Sequence, residues 1–98
     1  AQLVVADLSL DLATFEARRG GESIKLYPAS RKLLEVLMRA SPNVVTRVEL
    51  EHALWGDDPP DSDQLRSHLY ELRRAIDGPH ERKLLHTLPK VGYRLADV

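Results

Sequence analysis

"QLRSHLYELRRAID", residues 64–77, carries leucine or isoleucine at positions 65, 69, 72 and 76. At about 100° per residue these four side chains fall in one narrow stripe, the mark of a helix that buries one side. Arg66, Tyr70, Arg73 and Arg74 lie on the far side, with Ser67 beside them. The stretch predicts a helix over residues 62–77, capped by Asp61 or Ser62 and closed by Gly78-Pro79. Three arginines on a helix are ordinarily a solvated surface, so the neighbouring segments decide what this face is for.

Immediately upstream, "VVTRVELEHALWG" (44–56) holds a strong helix start. Thr46 can cap, and Glu49 three positions later can reach back to complete a capping box. Val48, Leu50, Leu54 and Trp55 would form the buried side, and Gly56 ends the helix. The connector "DDPPD" (57–61) cannot be regular structure with two adjacent prolines. Further back, Pro28 suits a first helical turn, and Leu33, Leu34, Leu37 and Met38 follow at helical spacing. That helix should stop near Ala40, because Pro42 disfavours helical geometry in Ser41. Residues 3–5, 8–12, 15–19 and 23–26 are short and β-leaning, with Gly20-Gly21 as a two-residue hairpin turn. Downstream, "LLHTL" (84–88) and "YRLA" (93–96) flank "PKVG", predicting a hairpin with a four-residue loop that contains Gly92. Four strands, three helices and a hairpin make an α+β domain whose second and third helices are joined by a turn.

Bulk properties bound the function. The 98 residues suffice for one domain and one modest core. With 43% hydrophobic and 30% charged residues the balance is that of an ordinary globule. No apolar run approaches the ~20 residues of a membrane span. There is no cysteine, which fits a reducing, cytoplasmic setting. The only methionine is Met38, so one domain of a longer protein is the expectation. Net charge is −1, but residues 1–61 carry 7 Lys/Arg against 10 Asp/Glu, and residues 62–98 carry 7 against 5. The basic charge thus gathers where the third helix and the hairpin lie, and such asymmetry bears on partners.

The arginine face gains meaning from this setting. It sits on the second member of a helix–turn–helix-like pair, it mixes an aromatic and short polar side chains among cations, and a hairpin tipped by Lys90 follows at once. A helix so equipped can read base edges in a major groove while neighbouring cations hold phosphates. Trp55 reads as half-buried, with its indole N–H free to reach a phosphate, and Arg47 in the first turn of the second helix is available for the same contact. The histidines, His52, His68, His80 and His86, never pair at i, i+4 and have no cysteine to join them, so no metal site is expected. No serine sits in a nucleophile elbow and no glycine-rich phosphate loop is present, so neither an enzyme nor a bound cofactor is expected. "GDDPPDSD" (56–63) reads as an exposed acidic connector that would also suit docking of a basic protein.

Taken in order, the N-terminal strands, "LYPASRKLLEVLM", "VVTRVELEHALWG", "LRSHLYELRRAID" and "LLHTLPKVGYRL" resemble the winged-helix effector domain of OmpR/PhoB-type response regulators over nearly the whole chain. Its most specific matches are "LWG", the "H-L-x-x-L-R-R" of the third helix and the closing "VGYRL". The resemblance implies a winged helix-turn-helix that binds direct-repeat DNA half-sites as a head-to-tail dimer, after a receiver domain is phosphorylated in a two-component phosphorelay. It implies the third helix in the major groove and the wing, residues 84–96, over the minor groove. By position, Gln64, Ser67, His68 and Arg73 fall where the family contacts DNA, and Arg47, Trp55, Thr87 and Tyr93 where it holds phosphates. Asp57, Asp58 and Asp61 fall in the loop that touches RNA polymerase. Five positions depart from the pattern. Asp63 and Glu71 stand where many members have arginine, and Arg66 where an aspartate is common. Pro89 stands at a wing-tip position that often holds arginine, and Tyr27 replaces a threonine cap. The rival expectation is a winged-helix module that docks a protein through the acidic loop and the N-terminal sheet without binding DNA.

Overall fold

The structure is a computed structural model that describes residues 1–98. It begins with β1 (Gln2–Val5), β2 (Leu8–Asp11), β3 (Ala17–Arg19) and β4 (Glu22–Ile24), an antiparallel meander in that order. Gly20 and Gly21 both take positive φ, 60° and 85°, which matches a tight turn to the strand twist. Register places Leu8 opposite Arg19 and Leu10 opposite Ala17, so these four share the buried face. The second and third strands are shorter than the sequence suggests. The Asp11 carboxylate accepts from the N–H groups of Ala13 and Thr14, which curls the chain out of β2. Phe15 then sits in the loop at φ 62°, exposed, with the Arg31 guanidinium 4.6 Å over its ring.

Helix α1 (Pro28–Ala40) has proline in its first turn and buries Leu33, Leu34, Leu37 and Met38. It ends at Ser41, as Pro42 requires, and the Ser41 hydroxyl donates to the Leu95 carbonyl at 2.6 Å. Helix α2 (Arg47–Trp55) opens on the full capping box, Thr46 with Glu49, and stops at Gly56 with φ 63°. Val48 is not on its buried side: it is 72% exposed, whereas Leu50 is fully buried. Two residues of helix separate them, about 200° of rotation, so they cannot face the same way.

Helix α3 covers Gln64–Asp77 and buries Leu65, Leu69, Leu72 and Ile76. Its cap is Asp63, whose carboxylate accepts from the Arg66 N–H at 3.3 Å, rather than Asp61 or Ser62. The chain is still bending at Asp61 and Ser62, so the first helical residue is Gln64. β6 (Leu85–Leu88) and β7 (Gly92–Leu95) form the expected hairpin. Leu88 pairs with Gly92, so the loop has three residues and Lys90 takes the positive φ, 64°. A two-residue strand, β5 (Val45–Thr46), pairs with β7 and makes a three-stranded sheet β5-β7-β6 that the sequence did not announce. Sixteen buried residues from both sheets and all three helices form one core, with α1 packed on α2, α3, β1 and β7.

Candidate nucleic-acid interface

Because the apolar stripe of α3 faces the core, the opposite side is outward by default. Gln64, Arg66, Ser67, Tyr70 and Arg74 are exposed and Arg73 is half-buried. Arg73 lies on the edge nearest the wing and its Nη2 donates to Thr87 Oγ1 at 2.6 Å, tying α3 to β6. Thr87 in turn stands opposite Tyr93 across the hairpin. Helix and wing therefore present one continuous polar surface. No carboxylate pairs with Arg66, Arg73, Arg74 or Lys90, which leaves four cations on it.

Arg47, on the first turn of α2, joins the surface through the start of α3. Its Nη2 donates to Asp63 Oδ1, and Glu51 lies 3.8 Å from its Nε. The guanidinium holds the Asp63 carboxyl below the usual carboxylate range, and the carboxylate pushes Arg47 up in return. Arg47 also lines a shallow groove of about 260 Å3 with Thr87, Pro89, Lys90, Val91 and Tyr93, between α2 and the wing. On the other flank of α3, the half-buried His68 ring meets that of Trp55, centroids 6.1 Å apart and tilted by 41°. Neither is a free-standing contact: the pair fastens α3 to α2 and keeps one edge at the surface.

Glu71 is turned away from the wing. It lines the largest hollow, about 580 Å3, together with Lys25, Tyr27, Ser30 and Arg74, on the flank of α3 that faces the start of α1. Asp57, Asp58 and Asp61 are exposed in the loop from α2 to α3, and the Asp57 carboxylate lies 3.6 Å from His52 Nδ1. No group of three or more His, Asp or Glu side chains converges. No helix is long and apolar enough to cross a membrane.

The group that joins the end of α3 to the start of the wing was missed in the sequence. Arg19 and Asp77 are 2% and 1% exposed, deep between the first sheet, the end of α3 and the wing. Arg19 donates to Asp77 Oδ1 at 2.9 Å, to Asp7 Oδ1 at 2.7 Å, and to the carbonyls of Ile76 and Arg82. Asp77 accepts the N–H groups of Leu84 and Leu85 at 3.0 Å, where the chain begins the wing. Two signals were present. Arg19 is in phase with the inward Leu8, Leu10 and Ala17, and Asp77 puts a negative charge at the unfavourable end of a helix dipole.

A three-helix domain whose last helix and C-terminal hairpin offer one cationic surface is a winged helix-turn-helix of the DNA-binding type. Residues 21–95 match the family model described as "Transcriptional regulatory protein, C terminal", and the chain belongs to that family, the OmpR/PhoB-type DNA-binding domains. It is 37% identical over 98 residues to the response regulator MprA of Mycolicibacterium vanbaalenii, covering 99% of this chain and 42% of that protein. The response regulator DrrB of Thermotoga maritima, described as an OmpR/PhoB homolog, superposes with a TM-score of 0.83 at 27% identity, over 97% of this chain and 44% of that one. The RstA DNA-binding domain of Klebsiella pneumoniae, solved in complex with the RstA box, gives 0.84 at 20% identity, over 99% and 98%, and shares the fold. The chain spans about two fifths of the length of the curated relatives it matches.

Proposed function

We propose that this domain is the effector half of a cytoplasmic two-component response regulator, residues 1–98 following a receiver domain that a sensor kinase phosphorylates. α3 enters the major groove, with Gln64, Ser67, His68 and Arg73 toward base edges and Arg66, Tyr70 and Arg74 alongside. The wing, residues 84–96, lies over the minor groove with Lys90 at its tip. Trp55, Thr87 and Tyr93 hold phosphates, as does Arg47 when Asp63 does not hold it. Two copies bind direct-repeat half-sites head to tail, and Asp57, Asp58 and Asp61 face RNA polymerase. The observation that carries the DNA-reading role is the Arg73–Thr87 bond, which locks helix and wing into one surface bearing four unpaired cations.

Affinity for a generic duplex should therefore fall steeply with salt. Three phosphate contacts, from Arg66, Arg74 and Lys90, give a slope of roughly −2.7 in log affinity against log salt, measurable by fluorescence anisotropy. Amide shifts in an NMR titration should concentrate in residues 62–76 and 86–94. A flat salt response, or shifts only in the acidic loop on adding polymerase fragments, would favour the protein-docking module instead. Arg73→Ala should weaken binding by about 1–3 kcal/mol. Its unfolding free energy should stay within roughly 1 kcal/mol of the parent, because the side chain lies off the apolar stripe. Unchanged affinity in that variant would remove Arg73 from the contact surface.

A further inference from the structure

Asp63 does two things at once. Its carboxylate caps α3 by accepting the Arg66 N–H, and the same Oδ1 accepts from Arg47 Nη2. Both side chains are half-exposed, 49% for Asp63 and 42% for Arg47, so the pair stands at the edge of the cationic surface rather than inside the core. Arg47 is the one cation of the α2–wing groove, apart from Lys90, that could meet a backbone phosphate there. A carboxylate offers a guanidinium the same planar pair of acceptors that a phosphate offers. The two are competitors for one donor.

We infer that Asp63 withholds Arg47 from DNA, acting as a built-in brake on sequence-independent binding. The inference rests on the DNA-reading function above and adds to it a residue that sets affinity without touching a base. Three features make the brake effective. The carboxylate is covalently positioned beside Arg47, so its local concentration far exceeds that of any phosphate in solution. It is fixed by the Arg66 N–H and favoured by the positive end of the α3 dipole, so it does not drift away. Its own charge also opposes the approach of a phosphate to the start of α3. Because every duplex presents the same phosphates, the brake lowers binding to all sequences alike and leaves base selection to α3.

The test uses the domain with Asp63→Asn, Arg47→Ala and the two combined. Asparagine keeps an oxygen for the Arg66 N–H and removes only the charge. Binding to a duplex of unrelated sequence, roughly 20 base pairs long and so about two turns, is followed by anisotropy across a salt series. Asp63→Asn should bind about 3- to 10-fold more tightly at low salt, with the slope steeper by roughly 0.9, the increment for one added phosphate contact. In the Arg47→Ala background the same change should leave the slope where Arg47→Ala alone sets it. Asp63→Ser, which also caps without charge, should reproduce the gain, and thermal melting of each variant shows whether α3 is intact. A gain just as large without Arg47 would mean that Asp63 acts only through its field, and an unchanged slope would mean that Arg47 already contacts phosphate; either overturns the brake while leaving the DNA-reading function standing. No binding by any variant at low salt overturns both.

Discussion

Replacing Asp77 by alanine is expected to lower the unfolding free energy by about 3–5 kcal/mol, the usual cost of removing one partner of a buried ion pair. The gain from such a pair over a well-packed apolar alternative is small, but half of one is costly. Arg19 would remain 2% exposed with only Asp7 and two carbonyls for company. The Leu84 and Leu85 amides would lose their acceptor as well. For a domain of this size, with a total stability of about 5–10 kcal/mol, the variant should be partly unfolded at 37 °C. Urea unfolding of the parent, Asp77→Ala, Arg19→Met and the double variant checks this. The two single changes should be strongly non-additive, because each removes the same contact. A loss below roughly 1 kcal/mol would place the pair among ordinary surface bridges. The functional consequence follows from where Asp77 sits. It is the last residue of α3 and the anchor for the start of β6, so it fixes the angle between helix and wing. In low urea, where the variant is still folded, duplex affinity should already be reduced.

How much of this was legible in the sequence depends on the range of the interaction. The stripe of Leu65, Leu69, Leu72 and Ile76, the Thr46–Glu49 capping box and the Gly20-Gly21 turn are set by residues within one turn of each other, and all three stand in the structure as expected. The α3 cap was misplaced because Asp61, Ser62 and Asp63 are all competent caps, and only the path of the connector selects among them. β5 was invisible because two residues carry no periodicity; it exists because β7 passes beside Val45 and Thr46. The Arg19–Asp77 pair joins positions 58 residues apart, and the Arg47–Asp63 pair joins positions 16 apart. Each is a pairing of charges that sequence alone leaves with many partners. The candidate face of α3 was readable residue by residue, whereas its attachment to the wing through Arg73 and Thr87 was not.

Gly92→Ala is the second substitution expected to have a large effect, and its reason differs from that of most glycines here. Gly20, Gly21 and Gly56 are needed for positive φ, whereas Gly92 has no such conformation and is needed for closeness. A Cβ at position 92 would lie 2.2 Å from the Val45 carbonyl oxygen and 3.0 Å from the Thr46 Cα. Both neighbours are backbone, so no side chain can swing aside. Either β5 separates from β7 or the wing turns outward. Overpacking of this kind costs about 1–3 kcal/mol, and the upper end applies because the clash is with main chain. The damage should be local. Cross-strand amide contacts between Val45 and Tyr93 should vanish while those of β1 to β4 persist, which NMR resolves directly. It should also reach the interface by two routes, since Val45 pairs with Tyr93 and Gly92 pairs with Leu88 beside the Lys90 turn. Duplex affinity should consequently fall by more than the loss of Lys90 alone would explain. A variant that keeps the Val45–Tyr93 contacts and the parent affinity would show that β5 can yield without disturbing either the wing or the start of α2.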